Sequence, residues 1–554
     1  MKKYILFLLL PGILLMSCEQ DDFLDRVPKD ALSEPGFFKN ENDLKLYANR
    51  FYTSLPVQQP FNDNNSDNMV PVSRNSFLAG TYVVPTTGGG WTWTNERAVN
   101  FFLQRYQRAD ASQAVKNQYA AEVKFFRALF YWQKVKQFGD VPWLSTDLTE
   151  ESPELYGART PHKTVMDSVL ADLNFAVANL PPAQDAAADR LHTEAAQALK
   201  SRICLWEGTF RKYHGLGDAE KFLREAATAS EAIINGGQYG IYTTGKPEQD
   251  YYNLFIQQNL SNNPETILAK VYLQDVLMHN ISRQIGENGT GFSKSFANTF
   301  LSKDGLPIAL SPLYQGDDSP DAEAANRDPR YSQTIATRGF VFTVNSDGTR
   351  DVITLPRIGT SVTSTGYQVA KFRSPEAAQI NANQSTLDLF IFRYAEVLLN
   401  YAEAKAELGE ADQAVIDQTI NKLRDRVAMP HLTIATLVKD PRSDFPALPA
   451  LLDEIRRERR VELAAEGFRF DDLLRWKAGD LIEQPESVLG MKLHPDVRAQ
   501  YPPNQVSSIQ LNENGYIRVY PNITTRTWDE RMYLYPLPTQ ELTLNTNFVQ
   551  NPGW

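Results

Sequence analysis

Apolar residues recur at helical spacing through most of this chain. Between 112 and 138, Ala121, Phe125, Ala128, Leu129 and Trp132 fall on one face, the i, i+3, i+4 pattern of an amphipathic helix. Gly139 and Pro142 stop it. The same reading gives helices over 44–55, 95–109 and 164–180, the last closed by Pro181-Pro182. Helices 193–206 and 219–235 follow, with Ala195, Ala198, Leu199 and Leu205 as contacts and Gly236-Gly237 as a stop. Helix resumes over 387–408, where Phe390, Tyr394, Val397, Leu398 and Tyr401 form the apolar face, then over 412–427 and 449–466. Helix pairs with alanine at close contacts and Gly or Pro breaks follow the logic of tetratricopeptide-like hairpins, without a clean repeat period.

Two stretches break the pattern. Residues 56–94 form a long loop rich in Pro, Asn, Ser, Thr and Gly, and a loop this long in a compact domain is usually functional. Residues 253–385 are rich in Gly, Ser, Thr and Asp, with short strand-like runs at 339–345 and 368–372. The expected architecture is mainly α: one domain over 41–554, its helical scaffold at about 41–55, 95–237 and 387–478. The loop-rich regions 56–94 and 253–385 carry a few short strands and form the ligand face, and 479–554 is an irregular C-terminal segment.

The densest charge lies at 454–476, EIRRERRVELAAEGFRFDDLLRW. Glu454, Glu458, Glu462 and Glu466 stand four apart, one row on a helix, where like charges repel by roughly 0.2–0.5 kcal/mol per pair. Glu454 has Arg457 three residues on and Glu462 has Arg459 three residues back, but Glu458 has no cation at helical spacing. The stripe Leu448, Leu451, Leu452 and Ile455 runs into these charges. A charge in line with a buried face needs a partner, so this helix is expected to be held by ion pairs to another. A nucleic-acid patch at RRERR is excluded: its arginines are matched by glutamates, and the chain carries net charge −11.

The N-terminus changes the picture. Lys2 and Lys3 precede an apolar run over 4–16, too short to span a membrane and built like a secretion signal. It ends in Leu15-Met16-Ser17-Cys18, which resembles a bacterial lipobox. Residues 1–17 are then a lipoprotein signal peptide, Cys18 the lipidated residue and 18–40 a tether, its acidic start similar to a surface-export signal. Acyl chains on Cys18 anchor a protein at roughly 0.8 kcal/mol per buried CH₂. With Cys18 acylated, Cys204 has no disulfide partner, and its apolar helical setting marks it as core.

Candidate chemistry is sparse. The six histidines are scattered without metal-ligand spacing, and no G-x-S-x-G element is present. Asp63, Asn65 and Asp67 alternate as in a calcium loop, but Asn68 and Arg74 stand where the glycine and closing glutamate belong, so a polar surface loop is expected and no cofactor. Trp91 and Trp93 stand two apart after Gly88-Gly89-Gly90. Tryptophans in a flexible glycine-rich loop need a use, and aromatic faces cover the apolar C–H faces of sugar rings.

Several segments in order resemble the SusD/RagB family: RYAEVLLNYAEA at 393–404, RERRVEL at 457–463 with Gly467-Phe468-Arg469, and DLLRW at 472–476. Gly366-Tyr367 with Lys371-Phe372, YPLP at 535–538 with Glu541-Leu542, and Gln550-Asn551-Pro552-Gly553 are similar to further landmarks. The resemblance implies a binding protein and not an enzyme. It implies lipid anchoring at the outer-membrane surface, capture of oligosaccharides, and delivery to a SusC-type TonB-dependent transporter; some relatives take peptides instead. The starch-binding member has a Trp-x-Trp element at a similar place with an arginine upstream, which makes Arg74 the matching candidate. Tyr82 and Asp67 in the same loop, and Phe292 in Gly289-Thr290-Gly291-Phe292, complete the ligand-binding set implied for Trp91 and Trp93.

Overall fold

The computed structural model describes residues 37–359 and 361–554. The leader, Cys18 and most of the 18–40 tether lie outside the described residues. The long helices are α1 (Glu41–Asn49), α2 (Thr94–Arg105), α3 (Gln113–Phe138), α4 (His162–Asn179), α5 (Thr193–Tyr213) and α6 (Ala219–Gly236). After a region of short helices and strands come α7 (Tyr394–Glu407), α8 (Gln413–Gln418), α9 (Ile420–Arg426), α10 (Ala450–Glu462) and α11 (Arg469–Arg475). Local signals set the ends. Ser112 caps α3 by accepting from the Val115 N–H, and Gly139, at φ +72°, ends it. Helix α3 packs against α4 and α5 against α6, and α7 lies across both α5 and α6. A β-carbon on Gly208 of α5 would fall 2.8 Å from the Leu223 side chain of α6, so only glycine permits this approach.

Three of the expected elements differ. The 387–408 helix is a strand, Leu389–Arg393, followed by α7; the strand pairs antiparallel with Thr266–Lys270. All its residues are buried, and such a run carries no period by which to tell strand from helix. Phe390 therefore joins a different core from Tyr394, Val397, Leu398 and Tyr401. The 412–427 helix breaks at Thr419, whose hydroxyl bonds back to the Val415 carbonyl at 2.5 Å. No strand forms over 368–372, where Val369 makes a single bridge to Ile335 and Phe372 has φ +66°. Residues 339–345 do hold a strand, Val341–Val344, paired with Arg350–Val352.

One apolar core fills the helix pairs; a second, around Tyr251, Phe255, Phe296, Tyr331 and Phe390, lies under the loop-rich region. Between them runs the glutamate row, Glu454, Glu458 and Glu462 on α10 and Glu466 in the turn that follows it. Glu458 is fully buried and pairs with Arg330 at 2.6 Å and Arg424 at 3.2 Å, so its partners come from α9 and from the loop-rich region. Glu462 takes Arg426 at 2.6 Å, Arg393 at 2.9 Å and Arg330 at 3.0 Å. Glu466 takes Lys371 and Arg393, both at 2.6 Å, and Glu454 pairs with Arg424 and Arg457. The expected local partner of Glu462 is corrected: Arg459 turns instead to Asp472 at 2.9 Å and to the Asn400 side chain at 2.8 Å. Arg456 and Arg460 of RRERR are buried as well, against Glu407 and Asp67.

This row gives the fold an acid limb. Burial alone would push the Glu458 carboxyl up, but Arg330, Arg424 and Arg457 outweigh it and hold it at about 2. Glu403 is likewise held at about 2, where Arg475 overcomes burial. A depressed carboxylate stabilises the folded state fully above its unfolded value near 4.5, and that contribution disappears as pH falls toward 2. Urea midpoints should therefore drop between pH 4.5 and 2, and the drop should be shallower in Glu458→Gln. Equal slopes in the two proteins would contradict the assignment.

Cys204 is buried in α5, and burial pushes its thiol well above the ordinary range, so it is core and inert.

Candidate functional site

The tryptophan loop is clamped to α3 by its backbone. Gly88, Gly89 and Gly90 all have positive φ, at +75°, +57° and +92°. This left-handed run turns two carbonyls toward the helix: Lys134 Nζ donates to Gly90 O at 2.6 Å and Gln137 Nε2 to Gly89 O at 2.8 Å. A β-carbon on Gly90 would fall on the Gln137 carboxamide. Gly90→Ala is thus expected to cost about 1–2 kcal/mol from backbone strain, with the Gln137 bond lost in addition. A melting curve and the tryptophan emission maximum will both move if the clamp is as described; unchanged curves would refute it.

The loop carries its tryptophans into a chain of five rings. Phe548 meets Trp91 at 5.8 Å, Trp91 meets Trp93 at 5.2 Å, Trp93 meets Tyr131 at 6.1 Å and Tyr131 meets Trp143 at 4.3 Å. Trp91 is only 6% exposed, wedged edge-on against Phe138, and Tyr131 is fully buried. Phe548, Trp93 and Trp143 are partly buried, packed against the helical core. Polar groups border them: Lys134 lies 5.5 Å from the Trp93 ring and Arg127 5.1 Å from Trp143. The exposed Arg97 reaches Asp147 at 3.5 Å. Burial pushes the Glu96 carboxyl up, and Lys134 opposes it from 3.9 Å. Planar apolar faces bordered by fixed charges and hydrogen-bonding groups suit a polyhydroxyl ligand with apolar C–H faces.

The C-terminal segment completes the chain of rings. The Tyr535 N–H donates to the Gln137 carbonyl at 2.7 Å, and the Asn551 amide donates to the Phe138 and Tyr535 carbonyls at 3.0 and 2.7 Å. These bonds hold Phe548 beside Trp91. Tyr131, Trp143 and Phe548 escaped the sequence reading. Trp143 had one faint signal, its place beside the proline that follows α3, whereas Phe548 lies in a tail without any pattern.

The other expected ligand residues are not gathered here. Arg74 is exposed, 6.0 Å from the Tyr520 ring, and Tyr82 packs edge-on to Phe77, Tyr535 and Trp554 at 5.5, 5.8 and 5.8 Å. The placement of Asp67 and Phe292 on a ligand surface is corrected. Asp67 is 1% exposed; Arg469 grips it with two bonds of 2.8 Å and Arg460 lies at 3.0 Å. Burial would raise its carboxyl, but the two arginines hold it far below the ordinary range. Phe292 is fully buried, its strand paired with Met69–Val70 and its ring stacked on Phe296 at 4.6 Å.

The polar surface loop expected at 63–67 is corrected too. Asp63 is buried, accepts the N–H groups of Ala465 and Gly467 at 2.9 and 3.0 Å and the Asn68 amide at 3.0 Å, and burial pushes its carboxyl up to about 6. Asn65 turns to Asn75 at 2.7 Å, so the three side chains do not converge on a cation.

A cavity of about 280 Å³ lies between α10 and the 438–445 loop. Of its five arginines, Arg456, Arg457, Arg460 and Arg469 are already paired with Glu407, Glu454 and Asp67, so its inner wall belongs to the internal ion-pair system.

Comparison with known proteins agrees with this architecture. The sequence profile of the SusD family matches residues 238–554. A SusD-like protein of Formosa agariphila, P2, is 23% identical over the full length of both chains. A SusD-like carbohydrate-binding protein of Bacteroides fragilis superposes with a TM-score of 0.73 at 23% identity, covering 92% of this chain and 99% of its own. A laminarin-binding SusD-like protein superposes at 0.55 with 19% identity, covering 93% and 100%.

Proposed function

The chain belongs to the SusD family, and from that premise we propose that it is a cell-surface lipoprotein that binds glycans, captures oligosaccharides and passes them to a SusC-type TonB-dependent transporter. The observation that carries the reading is the row of rings with Trp93, Trp143 and Phe548 only partly buried, and Lys134 beside Trp93. Aromatic side chains with a few convergent polar groups are the usual lining of sites that bind small molecules. Two structural relatives, the carbohydrate-binding protein of Bacteroides fragilis and the laminarin-binding protein, support it through their own ligands. Anchoring rests on Cys18 after the signal peptide 1–17, with 18–40 as the tether of one domain over 41–554. Among the described residues no helix is long and apolar enough to cross a membrane, so in this reading the lipid is the attachment. Closure over the transporter follows the usual rule: ligand shifts it only by binding the closed state more tightly than the open one.

Affinity electrophoresis against a glycan panel, with analysis of the sugars afterwards, tests the reading. Retention without products is the expected result. Released sugars would make the protein a hydrolase, and retention on a peptide panel alone would make it a peptide receptor.

A further inference from the structure

Four exposed apolar side chains gather where segment 155–159 is laced to segment 545–551. The buried Asn545 donates to the Leu155 and Gly157 carbonyls at 3.2 and 2.9 Å. Asn547 donates to the Tyr156 carbonyl at 2.7 Å, and Arg159 to the Val549 carbonyl at 2.7 Å. Bonds to four carbonyls fix the two segments against each other. Their apolar side chains nevertheless stay in solvent: Leu155 is 39% exposed, Tyr156 56%, Leu544 62% and Val549 72%. No other aromatic side chain among the described residues is as exposed as Tyr156. Single apolar residues scattered over a surface need no explanation, but several together on a fixed frame mark a contact site.

The charges beside this strip decide what covers it. Segment 155–159 belongs to a loop closed by the bridge between Val141 and Thr160. Glu150, Glu151 and Glu154 stand exposed on the same loop, and none has a cation partner among the described residues. Arg159 does not neutralise them, because its guanidinium is taken by the carbonyls of Phe138, Asp140 and Val549 and by the Asn551 side chain. A sugar chain is a poor occupant, since leucine and valine offer hydroxyls no hydrogen bonds. An anionic lipid surface is repelled by the three carboxylates. A second copy docked on this face through a two-fold axis would set the same carboxylates against themselves. A protein face with an apolar centre and a lysine or arginine border gains from both the apolar contact and the opposite charge.

We propose that Leu155, Tyr156, Leu544 and Val549 form a docking strip for a partner protein whose contacting surface is apolar with a positively charged border. The strip does not depend on glycan capture or on transport. To test it, Tyr156 is replaced by the photoreactive p-benzoylphenylalanine in the full chain, in the cells that produce it, and the cross-linked peptide is sequenced by mass spectrometry. The expected result is a single cross-linked protein segment with apolar residues beside lysine or arginine. Charge reversal by Glu150→Lys, Glu151→Lys and Glu154→Lys together should cut the cross-link yield at least fivefold, and Leu544→Ser should do the same. These side chains are exposed, so the melting temperature of the charge-reversed chain should match the parent. The proposal is overturned by no cross-link, by a cross-link to lipid or to a second copy, by an acidic or uncharged partner segment, or by a yield that charge reversal leaves unchanged.

Discussion

Glu462→Leu should lower the free energy of unfolding by about 3–5 kcal/mol, the range for breaking a buried ion pair from one side. Glu462 is fully buried and receives Arg330, Arg393 and Arg426 at 3.0, 2.9 and 2.6 Å. Removing it leaves three guanidinium groups in the interior with only Asp328, Glu458, Glu265 and Glu466 to balance them. The comparison variant is Glu220→Gln, which touches only the exposed Arg224 pair on α6, where a loss under about 1 kcal/mol is expected. Urea denaturation at pH 7 measures both. If Glu462→Leu falls within about 1 kcal/mol of the parent, the row is not what joins the two cores.

Trp91→Ala and Trp93→Ala should separate stability from binding. Trp91 is wedged against Phe138, Phe548 and Trp93, and truncating a buried tryptophan costs about 3–5 kcal/mol. Trp91→Ala should therefore melt markedly earlier, against the simple expectation that both tryptophans serve only ligand. Trp93 is less buried than Trp91, so Trp93→Ala should melt closer to the parent than Trp91→Ala and lose at least tenfold in glycan affinity, about 1.4 kcal/mol. Parent-like retention by Trp93→Ala would remove the ring chain as the ligand surface.

How much of this was legible in the sequence depends on distance along the chain. The helices α3, α5 and α6 stood out because their apolar spacing and their Gly or Pro stops are local. That Glu458 needed a partner was also local, but its partners Arg330 and Arg424 are not. Arg459 stands three residues from Glu462, at helical spacing, yet the fold pairs it with Asp472. The strand Leu389–Arg393 was hidden because its partner Thr266–Lys270 lies in another region and full burial erases alternation. At the site, the glycine run and the tryptophan pair could be found, whereas the ring chain needs Tyr131, Trp143 and Phe548 from three other segments. Asp67 and Phe292 share loops with ligand candidates, and nothing local shows that their side chains turn inward.

The docking of Phe548 on Trp91 also sets an order of events. These two rings come from opposite ends of the described chain, so their contact carries one of its largest loop-closure distances. Contacts of that kind form late, after local helices have already paired. The helical scaffold can thus assemble while the aromatic surface is still open, and the bonds of Tyr535 and Asn551 to the end of α3 are the ones that close it. A chain arrested before this step would have native helix content yet no complete row of rings, so circular dichroism would report it as folded while a sugar column would not.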